Sequence, residues 1–222
     1  MTQSSSDGTK RTYVLAPMRS GDVPDVSDLE RRCFTNPWPE SVYYRELREP
    51  ERNFYVVLRQ GRSETELGDP EQEAARGPLA LLPRLRRPTR AGAWSLVGFA
   101  GMWVVYGEAH VTTIAVAPEH RRHGLGEVLF LTLVGEAMRR GGEFVTLEVR
   151  VSNRAAQALY EKYGLTRQGL RPRYYSDNAE DAYIMTSPSL RDPVFRAHLH
   201  ELKQKLTEKL ANNQVEILEQ TR

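Results

Sequence analysis

The segment Arg121-Arg122-His123-Gly124-Leu125-Gly126 combines two arginines with two closely spaced glycines. It follows an apolar run at 111–117 that is typical of a strand, and it precedes residues with helical spacing. The N-terminus of a helix carries unpaired amide groups and a partial positive charge, and glycines let a ligand approach the backbone closely. The segment therefore predicts an anion site suited to a pyrophosphate. A glycine turn with only a structural role would leave the same pattern.

Two common phosphate-binding motifs do not fit this segment. A Walker loop requires Gly-Lys-Ser/Thr after its glycines, whereas Gly126 is followed by Glu127. A dinucleotide-binding fingerprint requires G-x-G-x-x-G, whereas residues 124–129 read Gly-Leu-Gly-Glu-Val-Leu. The pattern R-x-x-G-x-G does fit, and here the sequence resembles the acyl-CoA pyrophosphate loop of the GNAT N-acetyltransferases.

Two side chains further along the chain could move protons. Glu148 lies in a mostly apolar predicted strand at 143–150, where a partly desolvated carboxylate would have a raised pKa and could act as a base. Tyr160 lies about two turns into a predicted helix that Asn153 would cap, and its phenol could donate a proton. The pattern alone leaves two alternatives open, a solvent-facing Glu148 at a sheet edge and a Tyr160 that packs in the core.

A longer set of residues extends the resemblance to the GNAT enzymes. Its members are Leu147-Glu-Val-Arg150, Ser152-Asn153, Ala156, Leu159-Tyr160 and Tyr163-Gly-Leu165. With residues 108–118, Asn36-Pro37-Trp38 and Tyr174-Tyr175, they are similar to the RimI-type protein N-terminal acetyltransferases, also called ribosomal-protein alanine N-acetyltransferases. The resemblance covers residues 12–187, apart from an insertion at 61–93.

The resemblance implies an α/β (α+β) fold with a mixed central sheet of six to seven strands, flanked by helices. The fourth and fifth strands would splay apart, and acetyl-CoA would enter between them. The residues implied to bind it are Ile114, Ala115 and Val116 through their backbone, Arg121, Arg122, His123, Gly124, Leu125 and Gly126 through their amides, and Asn153.

The resemblance also implies that the substrate amine attacks the thioester directly, without an acyl-enzyme. An α-amino group has a pKa of about 7.7–8.0, so it needs only modest help to lose its proton. Glu148 would be the general base, through water, and Tyr160 the general acid that protonates the departing thiolate. Tyr174 and Tyr175 would line the site for the first residues of a polypeptide, which could be a ribosomal protein starting with Ala.

The composition restricts the remaining possibilities. At 222 residues the chain suits one domain with an additional segment, and its net charge of +2 gives no argument for nucleic acid. The single cysteine, Cys33, excludes an internal disulfide and a cysteine-rich metal site and suits a reducing cytoplasm. We therefore expect no metal. The polar N-terminus lacks the apolar core of a signal peptide, and no apolar run approaches membrane-spanning length, so we expect no membrane partner.

Two segments outside the predicted strands and helices have unusual composition. Residues 1–11 are predicted to be a disordered tail. Residues 61–93 are rich in proline, glycine and charge, which is typical of a flexible insertion. The basic end of the insertion could contact an acidic partner or RNA, although a solvated charge run is the simpler interpretation; its residues are Arg84, Arg86, Arg87 and Arg90.

A C-terminal helical extension is predicted at 188–222. Leu199, Leu202, Leu206 and Leu210 recur there at helical spacing among mixed charges. These leucines could pack on the body of the same chain or mediate self-association. The extension and the insertion both depart from the RimI-type pattern, and both could alter substrate access.

The leading prediction is an N-acetyltransferase that moves acetyl from acetyl-CoA to protein N-termini. The alternative within the enzymes is a GNAT protein that acetylates a small amine or a lysine side chain. The pairing of Glu148 with Tyr160, and the Tyr174-Tyr175 pair, favour the N-terminal substrate. Outside the enzymes, the chain could be an acyl-CoA-binding sensor or an assembly subunit, with the insertion and the C-terminal helix as its interaction surfaces.

Overall fold

The computed structural model describes residues 10–61 and 94–220, so the predicted tail and insertion lie almost entirely outside the described residues. The strands are β1 (Arg11–Pro17), β2 (Asn53–Gly61), β3 (Trp94–Val105), β4 (Glu108–Val116), β5 (Phe144–Arg150), β6 (Thr166–Tyr175), β7 (Glu180–Thr186) and β8 (Val215–Glu219). The α-helices of the described ranges are α1 (Val23–Cys33), α2 (Glu40–Glu46), α3 (Leu125–Arg139), α4 (Arg154–Lys162) and α5 (Pro193–Asn212).

The strands form one mixed sheet in the order β6-β7-β5-β4-β3-β2-β1-β8. The β4–β5 and β1–β8 pairs are parallel, and the other neighbouring pairs are antiparallel. The predicted α/β class is confirmed, but the described residues contain eight strands rather than six or seven. The additional strand is β8, whose short run of alternating apolar residues directly follows a long helix and was included in the helical extension.

Helices cover both faces of the sheet and divide the core into two parts. On one face α3, α4 and α5 pack on the sheet, and α3 buries Leu125, Leu129, Leu133 and Ala137, each four residues after the last. On the other face α1 and α2 enclose a smaller core around Tyr43. The sheet therefore lies between two helical layers, and β4 and β5 are neighbouring strands in its interior.

The C-terminal extension packs on the same chain. Asp192 caps α5 by accepting a hydrogen bond from the Val194 amide at 2.9 Å, and Pro193 occupies the first helical position. The four leucines of its stripe are buried in the core beside α3 and α4. Of the two alternatives for this stripe, the structure supports packing on the same chain, and self-association remains a prediction. Within residues 10–61 and 94–220, no helix is both long and apolar enough to cross a membrane.

Candidate active site

The parallel pair β4–β5 separates partway along its length. Its register runs from Glu108 opposite Phe144 to Val111 opposite Leu147 and then stops. Beyond that point β5 pairs with β7, while β4 continues beside β3 as far as Val116 opposite Gly98. Ile114, Ala115 and Val116 therefore lie past the last β4–β5 pair, where a cleft opens between the two strands.

The glycine-containing loop joins the open end of β4 to α3. Gly124 has a φ of 87° and caps α3, and Arg122 has a φ of 67°, a left-handed conformation that favours glycine. Successive residues of alternating handedness turn their amides toward a common point, which is the geometry of an anion-binding nest. Helix α3 begins at Leu125, so the predicted strand, turn and helix N-terminus are all present.

Some side chains of the loop are already engaged within the protein. The Arg121 Nε donates to the Val116 carbonyl at 3.0 Å. The His123 Nε2 accepts from the Arg11 guanidinium at 2.8 Å, and its Nδ1 lies 3.3 Å from the His120 carbonyl. The His123 ring therefore anchors the loop to β1, so its predicted role in binding a cofactor would fall to its backbone amide. The Val116 carbonyl is therefore already bonded to Arg121, and a ligand that pairs with it would share or replace that bond.

Glu148 lies on β5, directly after the last β4–β5 pair, and its side chain is only 6% exposed. Its Oε2 lies 2.9 Å from the His110 Nε2, and its Oε1 lies 2.8 Å from the Arg171 Nε. Burial alone would raise the pKa of Glu148, but the hydrogen bond and charge of His110, with the charge of Arg171, lower it below its usual value. The prediction of a raised pKa is therefore wrong, because desolvation is outweighed by two cationic partners.

His110 is the residue that the sequence interpretation missed. It lies on β4 opposite Thr146, and its ring stacks on Trp103 with centroids 4.8 Å apart and planes 7° apart. Its Nδ1 lies 3.3 Å from a Glu108 carboxylate oxygen, so both ring nitrogens face carboxylates. Burial lowers the pKa of His110, but Glu148 and Glu108 outweigh that effect and leave the pKa raised. A histidine inside a predicted strand next to the acidic strand was the available signal.

Tyr160 lies on α4 and packs on Phe130 with ring centroids 5.4 Å apart. Burial, with a smaller contribution from Tyr175, raises the pKa of its phenol well above the usual value. The ring is partly buried and packs against the main core, and the role of Tyr160 as an acid stays a prediction. On the same helix, the predicted cap is present, because the Asn153 Oδ1 accepts from the Ala156 amide at 3.2 Å.

The tyrosine pair lies at the β6–β7 end of the cleft. The rings of Tyr174 and Tyr175 meet edge to face at 5.2 Å, and Tyr174 is 46% exposed. The Arg150 guanidinium lies 3.8 Å from the centroid of the Tyr175 ring and pairs with Asp177 at 2.8 Å. Burial is the main cause that raises the pKa of Tyr175 to about 12. The pair is thus held in place by a cation and presents one partly exposed aromatic face.

The segment between α1 and α2 reaches the hairpin that joins β6 to β7. The Asn36 amide donates to the Ser176 hydroxyl at 3.0 Å, and the Thr35 hydroxyl donates to the Asp177 carboxylate. The Arg150 guanidinium supports the same hairpin through Asp177. These contacts fix the β6–β7 hairpin, which follows Tyr174 and Tyr175, against the segment between α1 and α2. Among the residues that the structure describes, no group of three or more His, Cys, Asp or Glu side chains could hold a metal ion.

Comparisons with known proteins identify the family to which the chain is similar. The acetyltransferase (GNAT) family matches residues 69–165. A ribosomal protein bS18-alanine N-acetyltransferase of Salmonella typhimurium is 43% identical over 176 residues, which are 78% of this chain and 96% of that protein. The N-alpha-acetyltransferase RimI of Mycobacterium tuberculosis is 33% identical over 181 residues, 79% of this chain and 92% of that protein.

The fold has solved counterparts as well. The crystal structure of the ribosomal-protein-S18-alanine N-acetyltransferase from Escherichia coli has a TM-score of 0.58 and 29% identity, and the match covers 79% of this chain and 93% of that chain. The chain therefore belongs to the GNAT family of acetyltransferases, and within it to the RimI-type N-acetyltransferases. This family uses acetyl-CoA as the acyl donor.

Proposed function

We propose that the chain moves the acetyl group of acetyl-CoA to the α-amino group at the N-terminus of a protein in the cytoplasm. A ribosomal protein that begins with Ala is the first candidate, since relatives at 31–43% identity bear the name of that activity. The observation that carries the proposal is the buried Glu148–His110 pair at the point where β4 and β5 separate. No metal takes part in the proposed reaction.

The cleft fits acetyl-CoA in three respects. The separated strands leave the Ile114–Val116 edge of β4 open to an extended pantetheine, the left-handed Gly124 turns the loop amides toward an anion, and α3 begins directly behind them. When bound, acetyl-CoA supplies an activated thioester. Asn153 begins α4 on the far side of the cleft, where its side chain amide could contact the same ligand.

The protonation states in the cleft favour an α-amine over a lysine. Glu148 is ionised at neutral pH, so it attracts a substrate ammonium but is a weak proton acceptor. His110, whose pKa is raised, carries a proton below that pKa and accepts one only above it, where Glu148 stabilises the charged form that proton transfer creates. An α-ammonium, with a pKa of about 7.7–8.0, gives up its proton to such a base far more readily than a lysine, with a pKa of about 10.4.

The proposed reaction transfers the acetyl group while His110, Tyr160 and water carry the protons. The substrate ammonium loses a proton through water to His110, and the free amine attacks the carbonyl carbon, so that a C–N bond forms and the C–S bond breaks. Tyr160 gives its proton to the leaving thiolate and regains one from the new amide nitrogen. The His110 proton passes to water. Tyr174 and Tyr175 exclude water from the substrate backbone and orient it.

The test is mass spectrometry of short peptides incubated with acetyl-CoA and the protein. Each peptide begins with Ala, Ser, Met or Gly, contains an internal lysine, and is supplied with a free or a blocked N-terminus. We expect acetylation of free N-termini alone, with a preference for Ala. Acetylation of lysine in the blocked peptides, or of a free polyamine in parallel, would replace the proposal with the small-amine or lysine alternative. Binding of CoA without any product would favour the acyl-CoA sensor.

A further inference from the structure

The C-terminal helix α5 touches the glycine loop from outside the cleft. A Cβ built on Gly124 would lie 3.1 Å from the Leu206 Cδ1 and 3.3 Å from the Leu210 Cδ2. These leucines belong to the stripe buried beside α3, and the extension that carries them lies beyond the 12–187 region of the RimI-type resemblance. The residue that caps α3 is thus held in van der Waals contact by a segment outside that region.

A charge contact accompanies this apolar contact. Glu127, in the first turn of α3, is almost fully buried, and its carboxylate accepts from the Tyr163 hydroxyl at 2.8 Å and from Lys162. The third partner is Lys209 of α5, whose Nζ lies 3.3 Å from Glu127 Oε1. Burial raises the pKa of Glu127, but Lys162, Tyr163 and Lys209 together lower it, so this carboxylate is anionic.

An anionic Glu127 is one residue from Gly126, which closes the loop. A negative charge there stabilises the N-terminus of α3 but repels a pyrophosphate held by the same amides. The ammonium groups of Lys162 and Lys209 offset that repulsion, because they lie against the same carboxylate.

A second set of contacts links the C-terminal extension to the glycine loop. Strand β8 pairs in parallel with β1, and the Arg11 amide donates to the Gln214 carbonyl at 2.9 Å. The Arg11 guanidinium in turn holds His123 at 2.8 Å. The loop is therefore supported at Gly124 by α5 and at His123 by a strand that β8 covers.

We propose that the C-terminal extension contributes to the binding of acyl-CoA. Leu206 and Leu210 hold the loop in its binding conformation, and Lys209 acts as a positioning residue by neutralising Glu127. This inference rests on the proposed use of acetyl-CoA, and it identifies residues 193–219 as a determinant of cofactor affinity.

The test measures the dissociation constant of CoA by calorimetry in the full chain. Lys209→Met should raise the Kd about threefold to tenfold, the range expected when one of two coupled neighbouring charges is removed. Its matched control is Lys205→Met, because Lys205 lies on the same helix and, within the described ranges, forms its ion pair with Glu201 on the exposed face of that helix. Leu206→Ala should also raise the Kd, whereas Leu199→Ala removes an equally buried leucine of the same stripe without touching Gly124 and should leave the Kd unchanged.

A rescue variant tests whether Lys209 acts by neutralising Glu127 or whether its loss simply disturbs the structure. Glu127→Gln together with Lys209→Met should bind CoA about as well as the wild type, because the repulsion that Lys209 offsets is gone. A double variant as weak as Lys209→Met would overturn that route. Equal affinities for Leu206→Ala and Leu199→Ala would overturn the role of the extension. A wild-type protein that does not bind CoA would instead refute the proposed function.

Discussion

Replacing Glu148 with glutamine separates catalysis from cofactor binding. Glu148 lies on β5 and contacts His110 and Arg171, whereas the loop proposed to bind the pyrophosphate runs from Arg121 to Gly126 after the end of β4. We therefore expect Glu148→Gln to bind CoA with the wild-type affinity. The glutamine retains the shape of the side chain but removes the negative charge that attracts the substrate ammonium and stabilises the His110 imidazolium.

The size of the effect follows from the 2.9 Å contact between the two side chains. The charge and hydrogen bond of Glu148 are main causes of the raised pKa of His110, so that pKa should fall in the variant. General acid–base assistance contributes about 10²–10⁴ to a rate, and we expect kcat/KM for an N-terminal peptide to fall on the order of 100-fold. The acidic limb of the pH profile should move to lower pH.

The assay is the pH dependence of kcat/KM, together with calorimetry of CoA binding, for Glu148→Gln and for a control variant. Glu161→Gln is a suitable control, because Glu161 also pairs with an arginine at 3.0 Å but lies on the outer surface of α4. It should behave as the wild type. An unchanged kcat/KM in Glu148→Gln, or an acidic limb that stays in place, would refute the assignment of this pair to proton transfer.

Three further predictions concern neighbouring groups. In the wild type, the acidic limb of the kcat/KM profile should lie above the ordinary histidine pKa of about 6.5, because the pKa of His110 is raised. His110→Gln should abolish this limb. A limb that survives the substitution would belong to another titrating group. Tyr160→Phe should lower kcat about tenfold and leave the peptide KM unchanged, since it removes one proton donor and keeps the packing on Phe130. A change in KM alone in steady-state kinetics would contradict the role of Tyr160 as an acid. Hydrogen bonds from Ser152, with that from Arg150, lower the pKa of Glu180 to about 2. The contribution of Glu180 to stability should therefore be complete above its ordinary pKa of about 4.3 and disappear as the pH falls toward 2. In chemical denaturation, Glu180→Gln should lose less stability across that pH range than the wild type.

Local patterns in the sequence were sufficient to predict most of the central fold. The apolar run before Arg121 and the glycines after it predicted the strand, the turn and the start of a helix, and the structure begins α3 at Leu125. Asn153 was correctly predicted as a helix cap, because capping depends on residues three positions apart. These are interactions between near neighbours in the chain.

Features that depend on distant partners could not be predicted in the same way. Glu148 was identified, but the direction of its pKa shift was wrong, because His110 and Arg171 reach it from other strands. The register of a parallel pair is set by the packing of both strands, so the sequence offered His110 only as a histidine in a predicted strand and did not fix its position opposite Glu148. Strand β8 was missed for a related reason, since its partner β1 lies at the other end of the chain.

The pairing of β1 with β8 also bears on how the protein folds. The Thr12 hydroxyl donates to Glu216 across 204 positions of sequence, and β1 cannot gain its outer neighbour until residues 215–219 have been synthesised. Contacts of such long range slow folding, because the chain must close a large loop before they form. The glycine loop touches Leu206 and Leu210, so a nascent chain that lacks the last helix would hold this loop without that contact.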